Sequence, residues 1–272
     1  MSIAIVYSEL AFYNILDNIT LYMSNTSMRT QSLKLFIALV IFLAALNALL
    51  VFMPMGAMVP AQQVPVSKPI IALVSVFSVL VIYGGLGFVG FILTRYLGIP
   101  DIIDPQVSHK QRLFYPAIAG VAVGVVLIVG DILFAPYNLI GNLIHPPFPT
   151  SLVASISAGI GEEMIFRLFL ITFWTWLISS VILKKKFRTG TYWIMSVIAA
   201  LLFGFGHFPL LMNLYGFPTL DTIPLILQAE ILLLNGIVAI VAAYYYKKAG
   251  FLAAVSVHMW TDIVWHVLFG LL

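Results

Sequence analysis

The chain alternates between long apolar runs and short connections that are polar or rich in proline. Seven runs stand at about 32–54, 70–94, 113–135, 151–183, 191–208, 222–246 and 250–271. Each has the length, roughly 18 residues or more, that crosses a bilayer as a helix. Lipid offers no partner to a backbone N–H or C=O, so only helices or a closed barrel can span it. The runs are too long and too uniformly apolar for the short alternating strands of a barrel. Residues 1–24 are patterned differently. Leu10, Tyr13 and Leu16 stand against Glu9, Asn14 and Asp17 at helical spacing, which predicts an amphipathic helix lying in the membrane interface. Those polar positions and the lack of a basic leader argue against a cleavable signal peptide. The expected division is an amphipathic segment over 1–31, membrane helices over 32–150 and a second group of membrane helices over 151–272, all in one integral membrane domain.

Composition agrees with the pattern. The 272 residues are 62% hydrophobic and 8% charged, with a mean hydropathy of +1.10; soluble domains carry about 25% charged residues. There is no cysteine, which excludes disulfides, thiolate nucleophiles and cysteine-held metals. The thirteen basic residues set the orientation. With the N-terminus inside, eleven fall on the inner side, including Arg29, Arg95, Lys110, Lys184, Lys185, Lys186 and Lys247, and only Lys68 falls outside. That asymmetry predicts seven spans, N-terminus in and C-terminus out. An eighth crossing by the first segment or by the apolar stretch 208–221, which can dip back into the membrane, would alter the count. Gly120 and Gly124 form a GxxxG on the third span, a spacing that lets two helices approach closely.

Arg167 is the basic residue left inside a span. Near it stand Glu162 and Glu163, and the later spans add His207, Glu230, Asn235, His258, Asp262 and His266; Asp131 lies at the end of the third. An ionised group at the centre of a membrane helix costs roughly 2.5–3.5 kcal/mol, so such residues are functional candidates by default. Glu163 and Arg167 are four apart and share a helix face, where they can pair. A structural ion pair accounts for those two. It leaves Glu162, about 100° round the helix, without a partner, and a free buried carboxylate is a group that can act as general base. His258 and Asp262 are also four apart. By itself that spacing fits a local polar pair as well as a catalytic one. His266 is expected near the outer interface, Asp131 in a helix-end role, and Glu230 and Asn235 either lining the same cavity or joining helices. Two histidines and two or three carboxylates on three helices make a buried hydrolytic centre, with or without a metal. The spacing His-Glu-x-x-His is absent, as is Gly-x-Ser-x-Gly.

In sequence order these residues read Glu162-Glu163-x-x-x-Arg167, Phe203-x-x-x-His207 and His258-x-x-x-Asp262. In that order and setting the chain resembles the type II CAAX prenyl endopeptidases, the Ras-converting-enzyme-like intramembrane proteases, whose prokaryotic branch includes bacteriocin-processing and immunity-type members. The resemblance runs from about Ser151 to Leu272. It implies an all-α membrane bundle of seven or eight helices around a polar cavity, in the cell membrane of a prokaryote. It also implies a peptidase in which Glu162 activates water, His207 helps position that water, Glu163 and Arg167 orient the site, and His258 with residue 262 forms the oxyanion hole. The substrate it implies is a hydrophobic or prenylated peptide cut to release a C-terminal tripeptide. Its partners are then the peptide substrate and the lipid bilayer, with no nucleic acid. No cofactor is expected; the runner-up is zinc held by Glu162, His207 and His258. A third possibility keeps the fold as a non-catalytic immunity or partner-binding protein. One position departs from the family: 262 is commonly asparagine there. An ionised aspartate only accepts hydrogen bonds, so Asp262 would orient His258 and leave the imidazolium as donor. Access poses a further question. Glu162 lies 22 residues before Lys184, roughly 33 Å along a straight helix. That sets it toward the outer half unless the helix tilts, breaks at Gly159–Gly161, or turns its basic loop outward.

Overall fold

The computed structural model describes residues 28–58 and 66–272; the amphipathic helix expected over 1–24 lies outside them. The described residues contain seven helices long and apolar enough to cross a membrane. They are α1 (Met28–Leu50), α2 (Lys68–Leu97), α3 (Lys110–Phe134), α4 (Thr150–Ile182), α5 (Arg188–Tyr215), α6 (Leu225–Ala249) and α7 (Phe251–Leu271). No strand occurs among the described residues. The protein is a multi-pass, all-helical membrane protein, as the apolar runs predict.

The last helix is the centre of the bundle. In α7, 67% of the most apolar window is buried against protein, compared with 17% in α2. It packs against α3, α4 and α6, and α5 packs against α6. Small residues make that packing possible. A methyl group at Gly120 would overlap the carbonyl oxygen of Val257, and Thr261 Oγ1 donates to the Gly120 carbonyl at 3.1 Å. The predicted GxxxG is therefore the seam between α3 and α7. Side-chain bonds tie other helices together, as with Asn47 Nδ2 donating to Ser157 Oγ at 3.0 Å and Tyr192 Oη–H donating to the Ala243 carbonyl at 2.6 Å. Such bonds in membranes contribute about 0.6 kcal/mol each on average. Gly250 alone separates α6 from α7, at φ +82. A Cβ there would lie 2.7 Å from the Pro100 carbonyl oxygen, so the reversal needs glycine.

Two helices differ from expectation. The fifth span does not end at Phe208. The chain turns at Gly206–His207 and continues as helix over Phe208–Tyr215. Phe208 and Leu211 are buried there against Ile223, Leu227 and Ile231; these contacts give the apolar 208–215 stretch its cover. In the fourth span no break occurs at Gly159–Gly161. The helix runs through them and is wound with wider, π-type turns over Met164–Ile171 and Trp176–Ile182. Such turns are frequent at functional sites.

Candidate active site

Helix α4 carries Glu162, Glu163 and Arg167 past the middle of the bundle, and α7 brings His258 and Asp262 to them. Arg167 Nη1 lies 2.9 Å from Glu163 Oε1, with both side chains buried. His258 Nδ1–H donates to the same oxygen at 2.8 Å. One carboxylate thus holds a guanidinium from its own helix and an imidazole from another. The guanidinium also lies over the Phe203 ring, 5.3 Å from its centre, and Phe203 stands edge-on to both His258 and His207.

Pinning Nδ1 leaves the Nε2 atom of His258 as the free ring nitrogen. Nε2 lies 3.7 Å from Glu162 Oε2 and 3.6 Å from Asp262 Oδ2. Those gaps are too long for direct hydrogen bonds and suit a bridging group. The carboxylate within bonding distance of His258 is therefore Glu163, rather than Asp262 as the i, i+4 spacing suggests. Glu162 is 33% exposed where Glu163 is fully buried, so adjacent glutamates face opposite ways: one into the protein, one into a space. His207, at the turn of α5, has Nδ1–H donating to the Phe203 carbonyl at 2.8 Å, and its Nε2 is left for that same space.

The space is a cavity of about 510 Å³. Its polar lining includes Glu162, His207, Asn235, His258, Asp262 and His266; its apolar lining includes Leu127, Ile165, Leu210 and Leu234. Glu163 and Arg167 stand behind the wall. Sequence reasoning missed two contributors. Tyr83 reaches the cavity from α2, and Leu143, Ile144 and Pro146 close it from the connection between α3 and α4. Tyr83 carried no signal. The connection's four prolines and lack of basic residues were the available hint that it packs on protein.

The connection is held from below by a second acidic pair. Asp131 and Glu230 are fully buried, and their carboxyl groups lie close enough to influence each other. Leu143 N–H donates to Asp131 Oδ1 at 3.0 Å, and Asn138 Nδ2 donates to Glu230 Oε2 at 2.9 Å. On the far side His145 Nδ1 lies 3.1 Å from His266 Nδ1, and burial pulls the His145 ring down to a pKa of about 4. His266, expected at the interface, instead joins this latch and faces the cavity. Among the described residues no three His, Asp or Glu side chains are gathered so as to hold a metal ion.

Residues 144–264 match the family described as type II CAAX prenyl endopeptidase Rce1-like. The chain carries an Rce1-like domain. The match takes in α4 to α7 as far as Val264, and every residue from Glu162 to Asp262 falls within it. The family is one of intramembrane CAAX-type endopeptidases, and peptidase activity is what this domain implies. No curated protein and no solved structure matches the chain.

Proposed function

We propose that the chain is a glutamate-dependent endopeptidase. It cuts a hydrophobic or prenylated peptide of the CAAX type within the cell membrane of a prokaryote and releases a C-terminal tripeptide. The observation that carries this reading is the division of labour between adjacent glutamates. Glu163 is committed to Arg167 and His258, whereas Glu162 faces the cavity with the free Nε2 of His258 3.7 Å away. Water between Glu162 and His207 loses a proton to Glu162 as its oxygen bonds to the scissile carbonyl carbon. The carbonyl π electrons move to oxygen, and the oxyanion is stabilised by donors that include Nε2–H of His258. Collapse breaks the C–N bond, and the proton held by Glu162 passes to the leaving amine. A positioned base contributes about 10²- to 10⁴-fold, and each oxyanion donor about 10²- to 10³-fold.

The apolar part of the cavity suits a lipid-modified or hydrophobic peptide. The test uses the full chain purified in detergent with a farnesylated CAAX-type peptide, read by mass spectrometry. Release of the terminal tripeptide by the unaltered protein but not by Glu162→Ala is the expected result. Equal release by both would overturn the reading. Zinc is distinguished in the same assay: activity lost to a chelator and restored by metal would replace the metal-free mechanism.

A further inference from the structure

Resting on that peptidase reading, we infer that the active site is served from the outer side of the membrane, and that its substrate is a hydrophobic or lipid-modified peptide whose scissile bond is presented there. A peptide made inside the cell reaches that side only by translocation. An export step therefore supplies the substrate, and cleavage follows it.

The bundle has two ends that differ in charge. The spans alternate in direction, so the starts of α1, α3 and α5 share one end with the finishes of α2, α4 and α6. Eleven of the thirteen basic residues, from Arg29 to Lys248, stand at or beside those termini. Contacts confirm that this is a single face. Ile103 N–H donates to Ser32 Oγ at 3.0 Å, which ties the start of α1 to the connection between α2 and α3. Lys247 Nζ lies 5.0 Å from the centre of the Tyr192 ring, which ties the end of α6 to the start of α5. The other face is tied by Thr150 Oγ1–H donating to the Pro54 carbonyl at 2.6 Å and by Ile144 N–H donating to Tyr215 Oη at 3.3 Å. Its basic residue is Lys68. Lysine and arginine flanking membrane spans stay on the cytoplasmic side, so the first face is the inner one and the second the outer.

The cavity reaches the outer face. Met55, Met58, Leu143, Ile144, Pro146 and Tyr215 in its lining all belong to that end, and its lining takes no residue from the 98–109 or 183–187 connections of the inner end. Toward the inner face the core is filled. Leu168, Ile171, Thr172 and Tyr246, all at most 1% exposed, stand on that side of Glu163 and Arg167, with Thr172 Oγ1 and Tyr246 Oη 2.6 Å apart. Along α7 the inner end is near. His258 is eight residues past Gly250, about 12 Å at the helical rise. That short route is closed, because Gly250 is buried against the Pro100 carbonyl and Phe251 is buried beside it. On the outer side, Thr150–Glu163 of α4 packs on α7, whereas the packing of α4 on α5 is concentrated past Met164. Ala154 and Ala158 of α4 and Leu210 and Leu214 of α5 line the cavity there, an apolar approach to Glu162 from the outer half of the bilayer.

The experiment reads orientation and activity separately, on the full chain in bacterial membranes. The chain has no cysteine, so single cysteines report position. Leu139→Cys marks the connection between α3 and α4, where Leu139 is 83% exposed. Gln106→Cys marks the connection between α2 and α3, where Gln106 is exposed. A membrane-impermeant maleimide should label Leu139→Cys in intact spheroplasts and Gln106→Cys only after permeabilisation. Sealed right-side-out vesicles should release the tripeptide from a farnesylated CAAX-type peptide with a charged, impermeant tag, and Glu162→Ala vesicles should not. Sealed inside-out vesicles should show no release until detergent opens them. Reversed labelling, labelling of both cysteines in intact spheroplasts, or release from sealed inside-out vesicles that matches or exceeds release from right-side-out ones overturns the inference. Each of those leaves the peptidase reading standing, provided that the protein cleaves in detergent. No cleavage in detergent overturns both.

Discussion

Two groups of carboxylates are buried in this protein, and they are neutralised in opposite ways. Around His258, Glu163 is matched by cationic or ionisable partners, Arg167 at 2.9 Å and His258 at 2.8 Å, and the adjoining Glu162 opens onto a cavity. Under the connection between α3 and α4, Asp131 and Glu230 meet only neutral donors, the Leu143 amide and the Asn138 side chain, and each other. The first group opens onto the cavity through Glu162, and the proposed peptidase reading places the chemistry there. The second is sealed from the cavity and fastens the segment that walls it. Buried acidity in a membrane protein is thus informative only together with what neutralises it.

The comparison can be broken by exchanging acids for amides in both groups. Glu162→Gln removes the proton acceptor and should cost about 10²- to 10⁴-fold in kcat, with the unfolding temperature unchanged; retained turnover would move the base elsewhere. Arg167→Met leaves Glu163 buried beside only His258 and should destabilise by about 3–5 kcal/mol, measured by denaturation in detergent. Adding Glu163→Leu should recover stability without recovering activity, since His258 then loses its tether. At the edge of the same group, Asp262→Asn is expected to keep substantial activity and Asp262→Ala to lose most of it; equal and complete loss in both would point to metal ligation. In the sealed pair Glu230→Gln keeps an oxygen that can accept from Asn138 Nδ2, so stability should shift by no more than about 1 kcal/mol with kcat unchanged. A loss matching that of Glu162→Gln would erase the distinction between the groups.

The smallest effect concerns pH. The His145 ring is pulled below its ordinary value of 6.5 to about 4 by burial. Between those values the unfolded chain binds more protons than the folded one, so stability falls as pH drops from about 6.5 towards 4. His145→Phe should flatten that part of the curve of unfolding temperature against pH. An unchanged slope would show that the ring is protonated as readily in the folded protein as in the unfolded chain.

Much of this protein was legible in its sequence because the relevant signals are local. Apolar run length marks each span, and the seven runs agree with the helices to within a few residues at most ends. Four-residue spacing put Glu163 with Arg167, and the three short motifs named the family to which residues 144–264 match. The fifth run ends early in the sequence because Pro209 and Gly216 read as loop residues, whereas the stretch between them is helical and packs on Ile223 and Leu227.

What the sequence determined by itself is the membrane setting, the number of spans in the described part, and which helix faces carry charge, since all three follow from residues within one or two turns of each other. The tertiary structure alone decided that Glu163, 95 residues away in sequence, is the acid that holds His258. It also decided that Asp131 meets Glu230 and that the 135–149 connection walls the cavity. Those pairings depend on the rotation and axial register of one helix against another, which are set by close contacts such as Gly120 against α7. Periodicity along a single helix carries no information about them.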